Sequence, residues 1–369
     1  MLIVGGGPAG STCAWTLRQA GADVAVIDKA TFPRDKVCAG WITPQVIDDL
    51  RMDPDEYRAG RTFQPITGFR IGFIGTDHVV DVSYDRAVSF GIRRVEFDHY
   101  LLRRSGARVL LGVPVTSIRR SGAKWIVNEQ VETPMLVGAG GHGCPVARLL
   151  NGSPDRALLV ATQEAEFRIP APRRSDFTAS AERAELYFCG DLSGYGWCFR
   201  KEDYVNIGFG RVNARALPAA SNAFVDFLKS RKTIPADAAW TWRGHGYLLF
   251  GQSRRRALED GAVLVGDSAG LAYPQSGEGI RPAIESGLKA ASTIRGARGD
   301  YSRERLEPYG QWLLDRFGSH WLTRVLPCGV PPVLADLLRA HVVRNPWLAR
   351  HVLLDRCFLH GRQSSFAPP

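Results

Sequence analysis

The chain has 369 residues, a formal net charge of +10, 45% apolar residues and 23% charged residues. That apolar share supplies a core and excludes a disordered chain, and no run approaches the roughly 20 apolar residues of a membrane-spanning helix. Seven cysteines, an odd number with no C-x-x-C pair, exclude a disulfide framework and a zinc ribbon and point to a reducing compartment.

In chain order, Leu2-Ile3-Val4 reads as a short buried strand. Residues 8–19 read as a helix with Ala9, Cys13 and Leu17 on one face, and the run 24–27 as a second strand with Asp28 at its end. This is a βαβ opening, which predicts a parallel sheet. Residues 67–82 break into strands and glycine turns. A helix is predicted over 96–104, then strands near 109–111, 115–119 and 124–127. The run 135–137 ends at Gly138 and returns to the parallel sheet. Residues 155–250 read as short alternating strands, an antiparallel sheet inserted into the first domain. The run 262–265 is again a buried strand, 280–294 a helix, and the last 70 residues are helical with Pro327, Pro331, Pro332 and Pro346 as breaks. The expected organisation is a dinucleotide-type domain from 1–60, 91–154 and 251–295, a substrate-binding β-sheet domain from 61–90 and 155–250, and a C-terminal helical segment over 296–369.

Gly5-x-Gly7-x-x-Gly10 follows a strand and opens a helix. Glycines there permit a tight turn, close approach of backbone to a pyrophosphate and close helix–strand packing, with the phosphates at the helix N-terminus. Asp28, 21 residues after Gly7, can accept from a ribose hydroxyl. This fingerprint points to a dinucleotide but does not separate FAD from NAD. Gly138-Ala-Gly140-Gly-His142-Gly143 also fits the pattern, but Pro145 and the lack of an acid-ended strand favour a turn, with His142 a turn histidine. Gly266-Asp267-Ser268-Ala269 follows another buried strand. Asp267 can bind a polyol hydroxyl and Pro274 can lie against a planar ring. Gly277 and Gly279 offer backbone N–H groups to an anion formed during turnover.

The Gly5–Gly10 fingerprint, Arg93-Arg94-Val-Glu-Phe97-Asp98, 138–148 and 266–279 occur in the order used by FAD-dependent oxidoreductases of the hydroxylase-like superfamily. Within it the chain most resembles the geranylgeranyl reductase family. Lys36-Val37-Cys38-Ala39-Gly40 resembles that family's Lys-x-Cys-Gly-Gly segment, and Tyr195-Gly-Trp197-Cys-Phe199 its Tyr-x-Trp-x-Phe-Pro segment. The resemblance covers roughly residues 1–295. It implies an α/β fold: a Rossmann-like, glutathione-reductase-like FAD domain with an inserted antiparallel substrate sheet and a C-terminal helical segment. It further implies that Gly5, Gly7 and Gly10 hold the pyrophosphate and Asp28 the adenosine ribose. Arg94 lies near the cofactor, Asp267 binds the ribityl chain, Gly277 and Gly279 face the flavin pyrimidine, and Cys38 sits over the isoalloxazine. Pro8, Ala9, Lys29, Lys36, Ala39, Gly140, Gly266, Pro274 and Ile280 join the expected cofactor contacts. Three departures stand out: Ala39 for a glycine, Trp41 where small residues are common, and Arg200 for the proline after Phe199. A changed substrate pocket explains all three.

Cys38 has two readings, a group that positions or protonates the substrate and a small packing residue. Tyr195, Trp197 and Phe199 alternate at strand spacing, so they line either an apolar substrate cavity or a sheet core. The eight histidines have no ligand spacing, so no metal is expected. The expected activity is hydride passage from NAD(P)H or another external donor, through FAD, to an apolar, isoprenoid-type double bond of a small molecule or lipid. The rivals are a flavin monooxygenase acting on an aromatic or protein-borne substrate and a non-catalytic FAD electron carrier. Only seven of the 47 basic residues are lysine, and the basic residues are scattered rather than striped, so no nucleic-acid partner is expected. The start, Met1-Leu-Ile-Val-Gly-Gly-Gly, has no basic n-region, so a cytoplasmic location is expected. From 295 onward, 11 Arg face six acids beside Trp312, Trp321, Leu334, Leu337, Leu338, Val342, Trp347 and Leu348, a composition suited to peripheral membrane contact or to capping a substrate tunnel.

Overall fold

The structure is a computed structural model that describes residues 1–153, 159–212, 214–251, 255–318, 345–361 and 363–366. The C-terminal positions 321, 334, 337, 338 and 342 singled out above lie outside the described residues.

Five parallel strands and one antiparallel edge form the first sheet, in the order 258–259, 262–264, 136–138, 2–4, 25–28, 108–111. Leu2, Ile3, Leu136, Val137, Val263 and Leu264 are fully buried, which is why these strands read as unbroken apolar runs rather than as alternation. Helix Pro8–Gln19 packs on helix Ile280–Gly296 so closely that a Cβ at Gly287 would lie 2.5 Å from the Ala9 carbonyl oxygen. The chain places this contact directly behind the glycine fingerprint, so the fingerprint loop is backed by rigid packing.

The second sheet has seven strands in the order 243–248, 159–168, 204–211, 194–201, 183–188, 68–73, 79–83. One face is covered by helix Leu217–Ser230, whose Phe224 and Phe227 pack on Tyr187, Cys198, Ile207 and Phe209. This helix is an exception within a stretch, 155–250, expected to be mostly strand. Its buried positions 217, 221, 224 and 228 carry a helical period that the Ala- and Ser-rich flanks obscure. A smaller correction concerns residues 115–119: the strand is Ile118–Ser121, after a segment in which Asn128 Oδ1 caps the amides of Thr116 and Ser117.

The other face of the seven-stranded sheet looks toward the parallel sheet and forms the floor between them. The small sheet of Trp41–Ile42, Phe63–Ile66 and Ser89–Ile92 closes one side. The segment Pro346–Leu348, continued as a π-helix over Ala349–Phe358, closes another, with Leu354 and Phe358 buried among Ile66, Phe69 and Trp197. The expected α/β class with an inserted sheet therefore holds, with one correction: the sheet is mixed, because strands 183–188 and 68–73 run parallel while its other pairs are antiparallel. Among the described residues, no helix is long and apolar enough to cross a membrane.

Candidate functional site

Backbone geometry dictates the first wall of the site. Gly5 has φ +113°, and a Cβ there would fall 2.4 Å from the Ala139 carbonyl oxygen. A Cβ at Gly10 would fall 2.0 Å from the Gly5 carbonyl oxygen. Neither neighbour is a side chain that could move aside, so both positions require glycine. Asp28 ties this loop to the end of its strand: its two oxygens accept from the Gly6 amide at 2.7 Å and the Ala30 amide at 2.9 Å. A carboxylate has about four lone-pair sites, so Asp28 can still accept from a diol.

A cavity of about 630 Å³ runs from this loop toward the seven-stranded sheet. Its wall contains Gly5, Gly7, Pro8, Ala9, Asp28, Lys29, Lys36, Cys38, Ala39, Arg94, Gly140, Asp267, Gly277, Gly279 and Ile280, together with Tyr195 and Trp197. Four of the expected residues stand outside the wall. Gly10 faces Gly5, and Gly266 at φ +58° lies against Ala9 and Ala283. Pro274 lies beyond the lining. Phe199 is buried beneath Gly91 and against Trp41, so it supports the wall instead of forming it.

The polar half of the cavity is organised by Asp267. Lys36 Nζ lies 3.2 Å and His245 Nε2 3.9 Å from its Oδ2. Burial works to raise the Asp267 pKa, but Lys36 and His245 overcome it and hold the carboxyl well below the usual range. Burial, only partly offset by Asp267, lowers the His245 pKa to about 4, so the ring is neutral at pH 7. Arg94 makes a buried bidentate pair with Asp98 at 2.8 and 2.8 Å, and Arg34 adds a third contact at 2.9 Å. Burial would raise Asp98, yet Arg94, Arg34 and Lys36 keep it ionised. The Cys38 thiol lies beside the Arg94 guanidinium, and the Gly40 amide donates to its Sγ at 3.4 Å.

The apolar half is aromatic. Trp41 packs on Phe69 at 5.3 Å, Phe358 at 6.1 Å and Phe199 at 6.4 Å between ring centroids, and Tyr195 meets Phe358 at 5.4 Å. Trp41, Leu186, Tyr195, Trp197 and Phe358 line this end. The Tyr195 hydroxyl donates to the Ser276 carbonyl, which joins the sheet to the loop before Gly277.

Sequence reasoning missed His245, Tyr247 and Glu278, which line the cavity, and Glu164, Glu166, Lys201 and Asn206, which lie beneath the Cys38 loop. Glu164 and Glu166 carried a signal, because two carboxylates at i, i+2 in an apolar strand share one face. Glu278 sits between the two glycines; among the described residues neither oxygen accepts a side-chain hydrogen bond, His360 Nε2 lies 4.0 Å from Oε2, and burial raises the Glu278 pKa to about 7.

A family model for an NAD(P)-binding Rossmann-like domain matches residues 3–53. The solved geranylgeranyl bacteriochlorophyll reductase-like protein from Thermoplasma acidophilum superposes with a TM-score of 0.78, covering 99% of this chain and 96% of that one at 20% identity, a likeness of fold. Menaquinone reductase of Mycobacterium tuberculosis is 28% identical over 337 residues, 86% of this chain and 80% of the relative. Geranylgeranyl diphosphate reductase of Rhodobacter capsulatus is 31% identical over 304 residues, 78% of this chain and 73% of the relative. A match at that identity over more than two thirds of both chains places the chain in the geranylgeranyl reductase family of FAD-dependent oxidoreductases.

Proposed function

We propose that the polar half of the cavity holds FAD, that the aromatic half holds an isoprenoid chain, and that the enzyme reduces a carbon–carbon double bond of that chain with electrons from NAD(P)H or a similar donor. The residues present fit the cofactor. Gly5 and Gly10 permit the tight turn and close helix–strand packing of a pyrophosphate loop, Gly7 adds no side chain to its wall, Asp28 retains acceptor capacity for a ribose diol, and Asp267 stays ionised opposite Lys36. Gly277, at φ +70° with the Tyr247 hydroxyl where a Cβ would lie, adds only backbone to the cavity wall. When bound, FAD supplies the hydride chemistry.

The chain's own contribution is a proton, orientation and dryness. Addition across an alkene needs a hydride at one carbon and a proton at the other. Cys38 Sγ is the proton source in this reading: its S–H bond breaks toward the second carbon, and the resulting thiolate is held by the Arg94 guanidinium and the Gly40 amide. Water entering at the cavity mouth restores the thiol. Tyr195, Trp197, Trp41 and Phe358 supply an apolar surface that orients the chain and excludes water while it reacts.

The observation that carries the proposal is the course of the loop 34–41. It starts at Arg34 and Lys36 in the polar half and ends at Trp41 in the aromatic half, so Cys38 stands where the two halves meet. The names of the relatives, which act on geranylgeranyl and menaquinone compounds, support an isoprenoid substrate. The test is anaerobic: load the protein with FAD, reduce it, add a geranylgeranyl or polyprenyl-quinone substrate and follow flavin absorbance. Return of the oxidised spectrum without oxygen, with equimolar reduced product, is expected. A spectrum that stays reduced against both substrate types counts against the proposal.

A further inference from the structure

Beneath the Cys38 loop lies a buried polar cluster that neither the cofactor cradle nor the aromatic wall requires. Glu164 and Glu166 come from strand Leu159–Arg168, Lys201 from the end of strand Gly194–Lys201, and Asn206 from strand Tyr204–Arg211. Asn206 Nδ2 donates to Glu164 Oε1 at 2.6 Å, to Glu166 Oε2 at 3.1 Å and to the Cys38 carbonyl at 3.4 Å. Its Oδ1 accepts from Trp197 Nε1 at 2.7 Å. Glu164 Oε2 accepts from the Cys38 amide, so the Cys38 residue is held by its N–H and its C=O together. Lys201 Nζ donates to Glu166 at 2.6 Å and to the Ile92 carbonyl at 2.9 Å, and a Cβ on Gly40 would fall 2.5 Å from it. Trp197 lies flat across Gly208, where a Cβ would meet its ring at 2.0 Å.

We infer that Asn206 is a positioning residue that locks the Cys38 loop and the Trp197 indole to one another through a single carboxamide. This rests on the reading in which Cys38 protonates the alkene. Burying two carboxylates and an ammonium is costly, and apolar residues of similar volume often hold a sheet as well. What apolar residues cannot do is fix a backbone amide, a backbone carbonyl and an indole N–H in one register. The amide orientation is fixed by Trp197 and Glu166: turned over, the group would set its NH2 against the indole N–H and its oxygen against a carboxylate that, despite burial, Lys201 holds ionised. The result is that the thiol on one side of the substrate and the aromatic wall on the other keep one spacing, the quantity on which proton delivery to a particular carbon depends.

The test uses the whole chain in three variants: Asn206→Ala, Asn206→Asp, and Asn206→Asp combined with Glu164→Gln. The double variant restores the hydrogen bond between positions 164 and 206 with donor and acceptor exchanged, and keeps an acceptor for Cys38 N and Trp197 Nε1, but it leaves the Cys38 carbonyl without its donor. Three readouts are taken: kcat and KM, FAD affinity, and the rate at which iodoacetamide alkylates Cys38 in flavin-free protein, followed by peptide mass. For both single variants we expect kcat to fall about ten- to hundredfold, FAD affinity to stay at the parent value, and Cys38 alkylation to accelerate several-fold. The double variant should stay close to Asn206→Asp in both readouts, because a carboxylate at 206 cannot donate to the Cys38 carbonyl. Parent values of kcat and alkylation in Asn206→Ala overturn the inference, as does full recovery of both in the double variant. If Cys38→Ala turns over normally, the protonation reading has failed by itself, and the alkylation rates still decide whether Asn206 fixes the loop.

Discussion

The glycine cradle and the floor of the seven-stranded sheet hold opposite ends of one cavity by opposite means. The cradle is backbone: Gly5, Gly10 and Gly277 work because a side chain is missing, and their neighbours are carbonyl oxygens, or in the case of Gly277 the Tyr247 hydroxyl. The floor is side chain: Glu164, Glu166, Lys201 and Asn206 present fixed donors and acceptors to a loop that crosses them. A surface made of peptide groups suits a cofactor whose phosphates and diols are the same in every turnover. A surface made of side chains can be retuned one residue at a time, which suits a substrate that differs between relatives.

That contrast can be broken at either end. The largest effect is expected in the cradle. Gly10→Val puts atoms against the Gly5 carbonyl, which has no room to yield, and FAD affinity should fall by about a hundredfold or more. Flavin absorbance retained after gel filtration, with circular dichroism as the fold control, reads this directly. At the junction, Cys38→Ala should lower kcat about ten- to hundredfold while FAD stays bound, the size expected for loss of one general acid.

The aromatic end sharpens the comparison with a smaller effect. Trp41→Ala removes a ring that Phe69, Phe199 and Phe358 now contact. It should cost about 2–3 kcal/mol of stability and shift preference a few-fold toward bulkier or longer isoprenoid chains, measured as kcat/KM across a prenyl-length series. An unchanged length preference would detach Trp41 from specificity.

The smallest effect concerns Glu278. Its pKa is raised by burial to about 7, above that of an unfolded glutamate. Its contribution is therefore full at low pH and lost as pH rises through about 7. In flavin-free protein the melting midpoint should drop by roughly 2–4 °C between about pH 6 and about pH 8, and Glu278→Gln should flatten part of that slope. Glu164 and Asp49, also raised to about 7 by burial, account for the remainder.

The same contrast explains what the sequence made legible. The cradle is local: strand, glycines, helix and Asp28 lie within 28 residues, and their spacing carries their geometry. Cys38 and Trp41 were visible through the loop that bears them, and the departure at Trp41 from a small residue matches a ring that now closes the apolar end. The floor was not legible, because its bonds join distant positions. Asn206 meets Glu164 across 42 residues, Tyr195 meets Ser276 across 81, and Lys36 meets Asp267 across 231. Strand alternation at 164 and 166 shows a shared face but not what that face touches. Phe199 shows the reverse limit: it shares a strand face with Tyr195 and Trp197, yet Gly91 and Trp41 cover it and take it out of the cavity.

The central claim, that one cavity passes electrons from a flavin to an apolar double bond, is tested most directly by product mass. The FAD-loaded protein is turned over in air with NADPH and a polyprenyl substrate, and the product is weighed. The account predicts a gain of two hydrogens per turnover, with one drawn from solvent when the reaction is run in heavy water. A gain of one oxygen atom would contradict it and make the enzyme a monooxygenase built on the same cradle.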